Sequence, residues 1–124
     1  MNLNIRHNLP FVTATIRYRG QDLELDNVLL DTGSAGTVFH VDRLLTVGLL
    51  MEPEDMIRLI RGVGGTEFVF SKPVDGLSVG NLGVGHFDIE VGGMDYGFDL
   101  DGIIGLDFLR AIRAKIDLGA LTIT

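Results

Sequence analysis

The sequence predicts an all-β fold in a single domain, and three observations carry that expectation. Residues 3–18 alternate apolar and polar side chains with the period of a strand, and Phe87–Val91 alternates in the same way. Seventeen glycines stand against three prolines and no tryptophan, a usage that favours many turns and close backbone approaches. At 124 residues the chain has the length of one domain, able to bury about two-thirds of its unfolded surface. Residues 1–124 are therefore read as one domain, either free-standing or cut from a longer precursor.

Composition narrows the function classes. Hydrophobic residues make up 46% and charged residues 22%, which is globular usage. A formal net charge of −7 and a pI near 4.7 disfavour an electrostatic grip on nucleic acid or an anionic membrane; a basic or neutral partner is easier to accommodate. The absence of cysteine removes disulfides, thiol catalysis and thiolate metal sites, and it leaves the compartment open. Met1–Asn8 lacks the apolar core of a signal peptide, and no apolar run reaches bilayer-spanning length. The chain as given is expected to be soluble, with the cytoplasm slightly favoured.

Taken in order, residues 3–18 read as two strands parted at Asn8-Leu9-Pro10, and Arg19-Gly20-Gln21-Asp22 as a hairpin turn. Leu23–Asp26 alternates again, and the continuous apolar run Val28-Leu29-Leu30 suits a strand covered on both faces. Thr37–His40 reads as a short strand and Asp42–Gly48 as a short helix closed by its glycine. Met56–Arg61 and Thr66–Ser71 form a hairpin whose tip, Gly62-Val63-Gly64-Gly65, is almost pure glycine. Short strands follow through 77–93. Gly102–Leu109 leads into a helical stretch reaching about Arg113, and Ile116–Thr124 closes the chain as a hairpin turned at Leu118-Gly119.

The apolar run ends abruptly at Asp31, followed by Thr32-Gly33-Ser34-Ala35-Gly36. A carboxylate at the mouth of an apolar strand is costly to desolvate unless it is hydrogen-bonded or shared, which makes it a candidate for acid–base work. Other chemistries fit less well. Thr32–Gly36 is one residue from a Gly-x-Ser-x-Gly nucleophile elbow, but its first glycine is Thr and no long helix follows. Asp99-Leu100-Asp101-Gly102 lacks the flanking ligands of a calcium loop and reads as a solvated acidic turn. His7, His40 and His86 have no metal-ligand spacing, and Gly33–Gly36 has no lysine for a phosphate loop. No metal or organic cofactor is expected. Arg110, Arg113 and Lys115 form a basic patch at the end of the second helix, and Asp107 is expected to ion-pair with one of these arginines.

Three features in this order resemble the retropepsin-like (retroviral-type) aspartic proteases: the apolar strand ending in Asp31-Thr32-Gly33-Ser34, the hairpin tip Gly62-Val63-Gly64-Gly65, and Gly102-Ile103-Ile104-Gly105-Leu106-Asp107-Phe108-Leu109. The likeness spans roughly residues 9–124. It implies a small, closed, β-barrel-like acid-protease fold with one or two short helices. It also implies an aspartic endopeptidase with a polypeptide substrate and no cofactor.

The family's chemistry needs two carboxylates, and this chain has a single Asp-Thr/Ser-Gly; Asp95-Tyr96-Gly97 and Asp117-Leu118-Gly119 lack the central hydroxyl residue. The resemblance therefore implies a homodimer with one Asp31 from each copy. It assigns Thr32 a hydroxyl bond to the partner's backbone and Gly33 close passage beside the carboxylates. Ser34 is expected to hydrogen-bond a carboxylate and favour its anion, which would make the activity optimum more acidic than that of a Ser34→Ala variant. Gly62, Val63, Gly64 and Gly65 form a flap closing over an extended peptide. Interwoven chain ends would place residues 1–8 in the dimer interface. The alternative is a catalytically silent module of the same fold that dimerises or binds peptides.

Overall fold

The computed structural model describes residues 1–62, 65–96 and 99–124. Among these, ten strands and two short helices follow in the order β1 (Asn4–Arg6), β2 (Leu9–Tyr18), β3 (Gln21–Leu30), β4 (Val38–His40), α1 (Val41–Leu44), β5 (Ile57–Gly62), β6 (Gly65–Val79), β7 (Leu82–Gly92), β8 (Gly102–Ile104), α2 (Leu106–Ala111), β9 (Ile116–Asp117) and β10 (Thr122–Ile123). The all-β, barrel-like expectation holds: β2-β3-β8-β4-β7-β6 are hydrogen-bonded in sequence and β6 pairs back onto β2, so the ring closes. Closure leaves few free strand edges.

Local sequence sets the turns. β1 and β2 are joined by His7-Asn8 and β2 and β3 by Arg19-Gly20, all with positive φ, the primed geometry that matches strand twist. Both turns are tighter than the sequence suggested: Leu9 and Pro10 already lie in β2, and Gln21 and Asp22 in β3. Gly48 closes a 3-10 turn after α1 with φ 71°, as its position past the helix suggested.

β6 runs fifteen residues, straight through Pro73. The expected strands end at Ser71 and resume at residue 77, but the structure joins them, and residues 72–75 are the stretch of β6 flanked by β7 alone, between the segments paired with β5 and β2. The strand has a free edge there for a residue without an N–H. Lys72, buried at this edge, donates to Glu52 at 2.5 Å and to Asp55 at 2.7 Å, and so ties the 49–56 loop over it.

Two apolar clusters result. The larger fills the barrel and contains Val12, Ala14, Ile16, Val28, Leu30, Phe39, Ile89, Val91, Ile104 and Phe108. The smaller contains Phe11, Val38, Val69, Met94 and Leu100, with Leu29, Ile60, Tyr96 and Ile103 packed on it. Val28 and Leu30 thus face one cluster and Leu29 the other, so this strand is covered on both faces as its apolar run implied. The chain ends pair with each other within one protomer: Leu3 N donates to Leu121 O at 2.8 Å and Ile123 N to Met1 O at 2.9 Å.

Candidate active site

The site is built around a crossover. β3 lies parallel to β8, with Val28 opposite Gly102 and Leu30 opposite Ile104, while β4 lies antiparallel on the other edge of β8, with Val38 opposite Ile103. The chain between β3 and β4, residues 31–37, must therefore pass across the end of β8. Asp31 is the first residue of this loop, and its amide donates to Ile104 O at 2.9 Å, continuing the β3–β8 ladder by one step.

The loop and the start of α2 are fitted to one another. Leu106 N donates to Ser34 O at 2.7 Å. Thr37 is fully buried; its hydroxyl accepts from Gly105 N at 3.0 Å and donates to Asp107 Oδ1 at 2.7 Å, and its amide reaches Asp107 Oδ2 at 3.3 Å. Gly105 is required by contact: a Cβ there would stand 2.2 Å from Gly36 O and 2.8 Å from Ser34 O, both backbone atoms. Asp107 also accepts from Phe108 N at 2.8 Å. Among the described residues it pairs with neither Arg110 nor Arg113, contrary to the ion pair expected from their spacing. The carboxylate points back to the crossover, and the two arginines are exposed farther along.

Within this frame the Asp31 carboxylate is half-buried, and its Oδ1 accepts from Gly33 N at 2.9 Å. Gly33 suits that approach, since a Cβ would lie 3.2 Å from the same oxygen. Thr32 is exposed beside it. The Ser34 hydroxyl donates to Gly36 O at 2.8 Å, closing the loop on itself rather than reaching the Asp31 carboxylate as expected. The turn brings Gly36 O within reach, so the hydroxyl serves backbone. Among the described residues no cluster of acidic and histidine side chains converges to hold a metal ion.

Asp101 anchors the opposite end of β8. Its carboxylate pairs with Arg43 at 2.9 Å and accepts from Asn27 N at 3.1 Å, and its side chain is 13% exposed. The solvated acidic turn read from Asp99–Gly102 is thus corrected at Asp101, which is structural. Adjacent-residue patterns do not show it, because its partners lie 58 and 74 positions away.

The β5–β6 hairpin reaches its end at the Gly62–Gly65 pair, with Gly65 at φ 120°. Val63 and Gly64, the remaining tip residues, lie outside the described residues. Glu67, two pairs from that end, accepts from Tyr96 OH at 2.5 Å and from Met94 N at 3.2 Å. Burial first, and then the Glu67 bond, push the Tyr96 phenol well above its ordinary range. Neither residue was singled out in the sequence for this contact. His40 caps α1 by accepting from Asp42 N at 3.1 Å, and His7 and His86 are exposed turn or strand residues.

A closed ring of strands with an Asp-Thr-Gly loop crossing a buried Ile-Ile-Gly strand defines an acid-protease class of structure. The chain belongs to the retropepsin-like aspartyl protease family: residues 12–108 match the family model described as aspartyl protease. No curated protein matches the chain. Family membership supports peptidase activity in general.

Proposed function

We propose that this chain is the protomer of a homodimeric aspartic endopeptidase, with Asp31 of two copies flanking one water. The observation that carries the reading is Asp31 itself. Its backbone is locked to Ile104, one carboxylate oxygen is held by Gly33 N, and the residue remains partly exposed to solvent. A carboxylate so fixed is oriented for proton transfer, and one chain supplies one such group.

Two carboxylates about 3 Å apart repel by about 5 kcal/mol at an effective dielectric near 20, so the pair holds one proton over a wide pH range. The charged member takes a proton from water as it attacks the peptide carbonyl. The protonated member hydrogen-bonds the carbonyl oxygen and stabilises the tetrahedral oxyanion. Thr32, exposed at the loop, bonds the partner's backbone across the two-fold axis. Gly33 admits the close approach, and Ser34 stiffens the loop through Gly36. The hairpin tipped by Gly62, Val63, Gly64 and Gly65 closes over an extended polypeptide, adding main-chain hydrogen bonds and excluding water.

The test is cleavage of an unstructured polypeptide across pH 3–7 by the wild type and by Asp31→Asn, with oligomeric state measured for both. Cleavage abolished by the substitution in an otherwise intact dimer is expected. No cleavage by the wild type, with Asp31→Asn indistinguishable from it, returns the chain to a silent module that dimerises or binds peptides, and equal cleavage by both removes Asp31 from the chemistry.

A further inference from the structure

Building on the peptidase reading, we propose that Glu67 and Tyr96 are positioning residues that latch the β5–β6 hairpin to the 92–96 segment beside it. Both then meet a bound peptide as one unit.

Both oxygens of the Glu67 carboxylate are spent on this one segment, Oε1 on Tyr96 OH and Oε2 on Met94 N. Such charge-assisted bonds are roughly twice as strong as neutral ones. The segment is shaped to receive the carboxylate. A Cβ on Gly92 would stand 2.8 Å from Val69 Cγ1 and 3.2 Å from Glu67 Oε2, so glycine makes the room. Met94 holds φ 52°, a left-handed conformation that costs energy in a residue with a side chain, and it is buried. Tyr96 N closes the turn onto Met94 O at 3.1 Å.

Outside the apolar contacts of its inner face, the hairpin has few other ties. Ile57, Leu59 and Phe68 are at least half exposed on one face. Arg58 reaches Glu90 at 3.1 Å, but its side chain is 57% exposed, and exposed ion pairs contribute little. On the opposite face Ile60 and Val69 join Met94, Tyr96 and Leu100 in the smaller apolar cluster. That cluster also contains Leu29 and Ile103, from the two strands that carry the Asp31 crossover. The latch therefore fixes the hairpin's height over the apolar floor next to Asp31. The raised phenol pKa keeps Tyr96 a donor at any pH at which the peptidase would work.

Amide hydrogen exchange on the intact protein, with peptide kinetics alongside, tests the latch. Tyr96→Phe and Glu67→Ala should each speed exchange of the hairpin amides in Leu59–Gly62 and Gly65–Phe68 by about fivefold or more, the factor expected for one lost hydrogen bond, and leave the β2–β3 ladder unchanged. Their double mutant should add little to either. Glu67→Gln, which keeps an acceptor for Tyr96, should restore much of the protection. On a cleaved peptide, Tyr96→Phe should raise KM by a similar factor with kcat within about twofold. Unchanged hairpin exchange in Tyr96→Phe, or acceleration spread evenly over the barrel, overturns the latch. Failure of the wild type to cleave any peptide overturns the peptidase reading instead, and the exchange result still decides the latch.

Discussion

The Thr37 hydroxyl sits between Gly105 N at 3.0 Å and Asp107 Oδ1 at 2.7 Å, fully buried, and so joins the end of the Asp31 loop to the start of α2. Thr37→Val keeps the shape, leaves the Gly105 amide without an acceptor and takes a donor from Asp107. An unsatisfied buried group costs about 1–3 kcal/mol. Urea unfolding should show a loss of that order, whereas Thr37→Ser should lose far less.

Gly105→Ala introduces a methyl 2.2 Å from Gly36 O, against backbone that has no rotamer to yield. Overpacking of this kind costs about 1–3 kcal/mol or more. The expected outcome is a misplaced 31–37 loop and loss of any peptidase activity, read by cleavage assay and thermal unfolding together. Gly20→Ala is a useful contrast, since it meets no atom within 4 Å and pays only for its positive φ.

Ser34→Ala should leave the pH profile of cleavage unchanged, because the Ser34 hydroxyl donates to Gly36 O and not to Asp31. This reverses the expectation drawn from sequence. A shifted profile would mean that the hydroxyl turns to the carboxylate in the assembled dimer.

The Lys72 hydrogen bonds hold the Asp55 and Glu52 carboxyls below their ordinary pKa values. Burial pulls the Lys72 ammonium down, but its bonds to Asp55 and Glu52 outweigh that and leave it raised. For the carboxylates the stabilisation is complete above their unfolded pKa, near 4, and is lost as pH falls through the lower folded values. For Lys72 it is present below its unfolded pKa and lost as pH rises through the higher folded one. Lys72→Met should therefore lower stability at pH 7 and flatten the acid limb of the stability profile, measured by urea unfolding at pH 7 and pH 3.

Removal of residues 1–3 should destabilise the protomer itself. Leu3 is buried, and residues 1–3 pair with 121–123 of the same chain. A lower unfolding temperature at every protein concentration is expected. A loss confined to low concentration would instead place these residues between two copies.

Much of the fold was legible because it is written locally. Strand alternation, the glycine turns and the two-sided burial of Val28-Leu29-Leu30 each follow from neighbouring residues. The crossover was legible only through resemblance, since nothing local tells Asp31 that Ile104 will lie beside it. The polar ties were the least legible. Asp107 was matched to nearby arginines because helix spacing favours such pairs, but it turns to Thr37, 70 positions away. Asp101, Glu67 and Lys72 likewise find partners well separated along the chain, where local charge patterns carry no signal. The joining of Thr66–Ser71 to the strand from residue 77 was not legible, because the pairing that leaves one edge free at Pro73 is a property of the assembled sheet.

The most direct test of the central claim is cleavage of an unstructured polypeptide measured against protein concentration, for the wild type and for equimolar mixtures with Asp31→Asn. If two copies of Asp31 make one site, specific activity rises with concentration through the dimerisation range. Asp31→Asn alone then loses at least about a hundredfold, and the inactive chain suppresses the wild type by forming mixed dimers. Specific activity independent of concentration, or full activity retained by Asp31→Asn, would contradict the account.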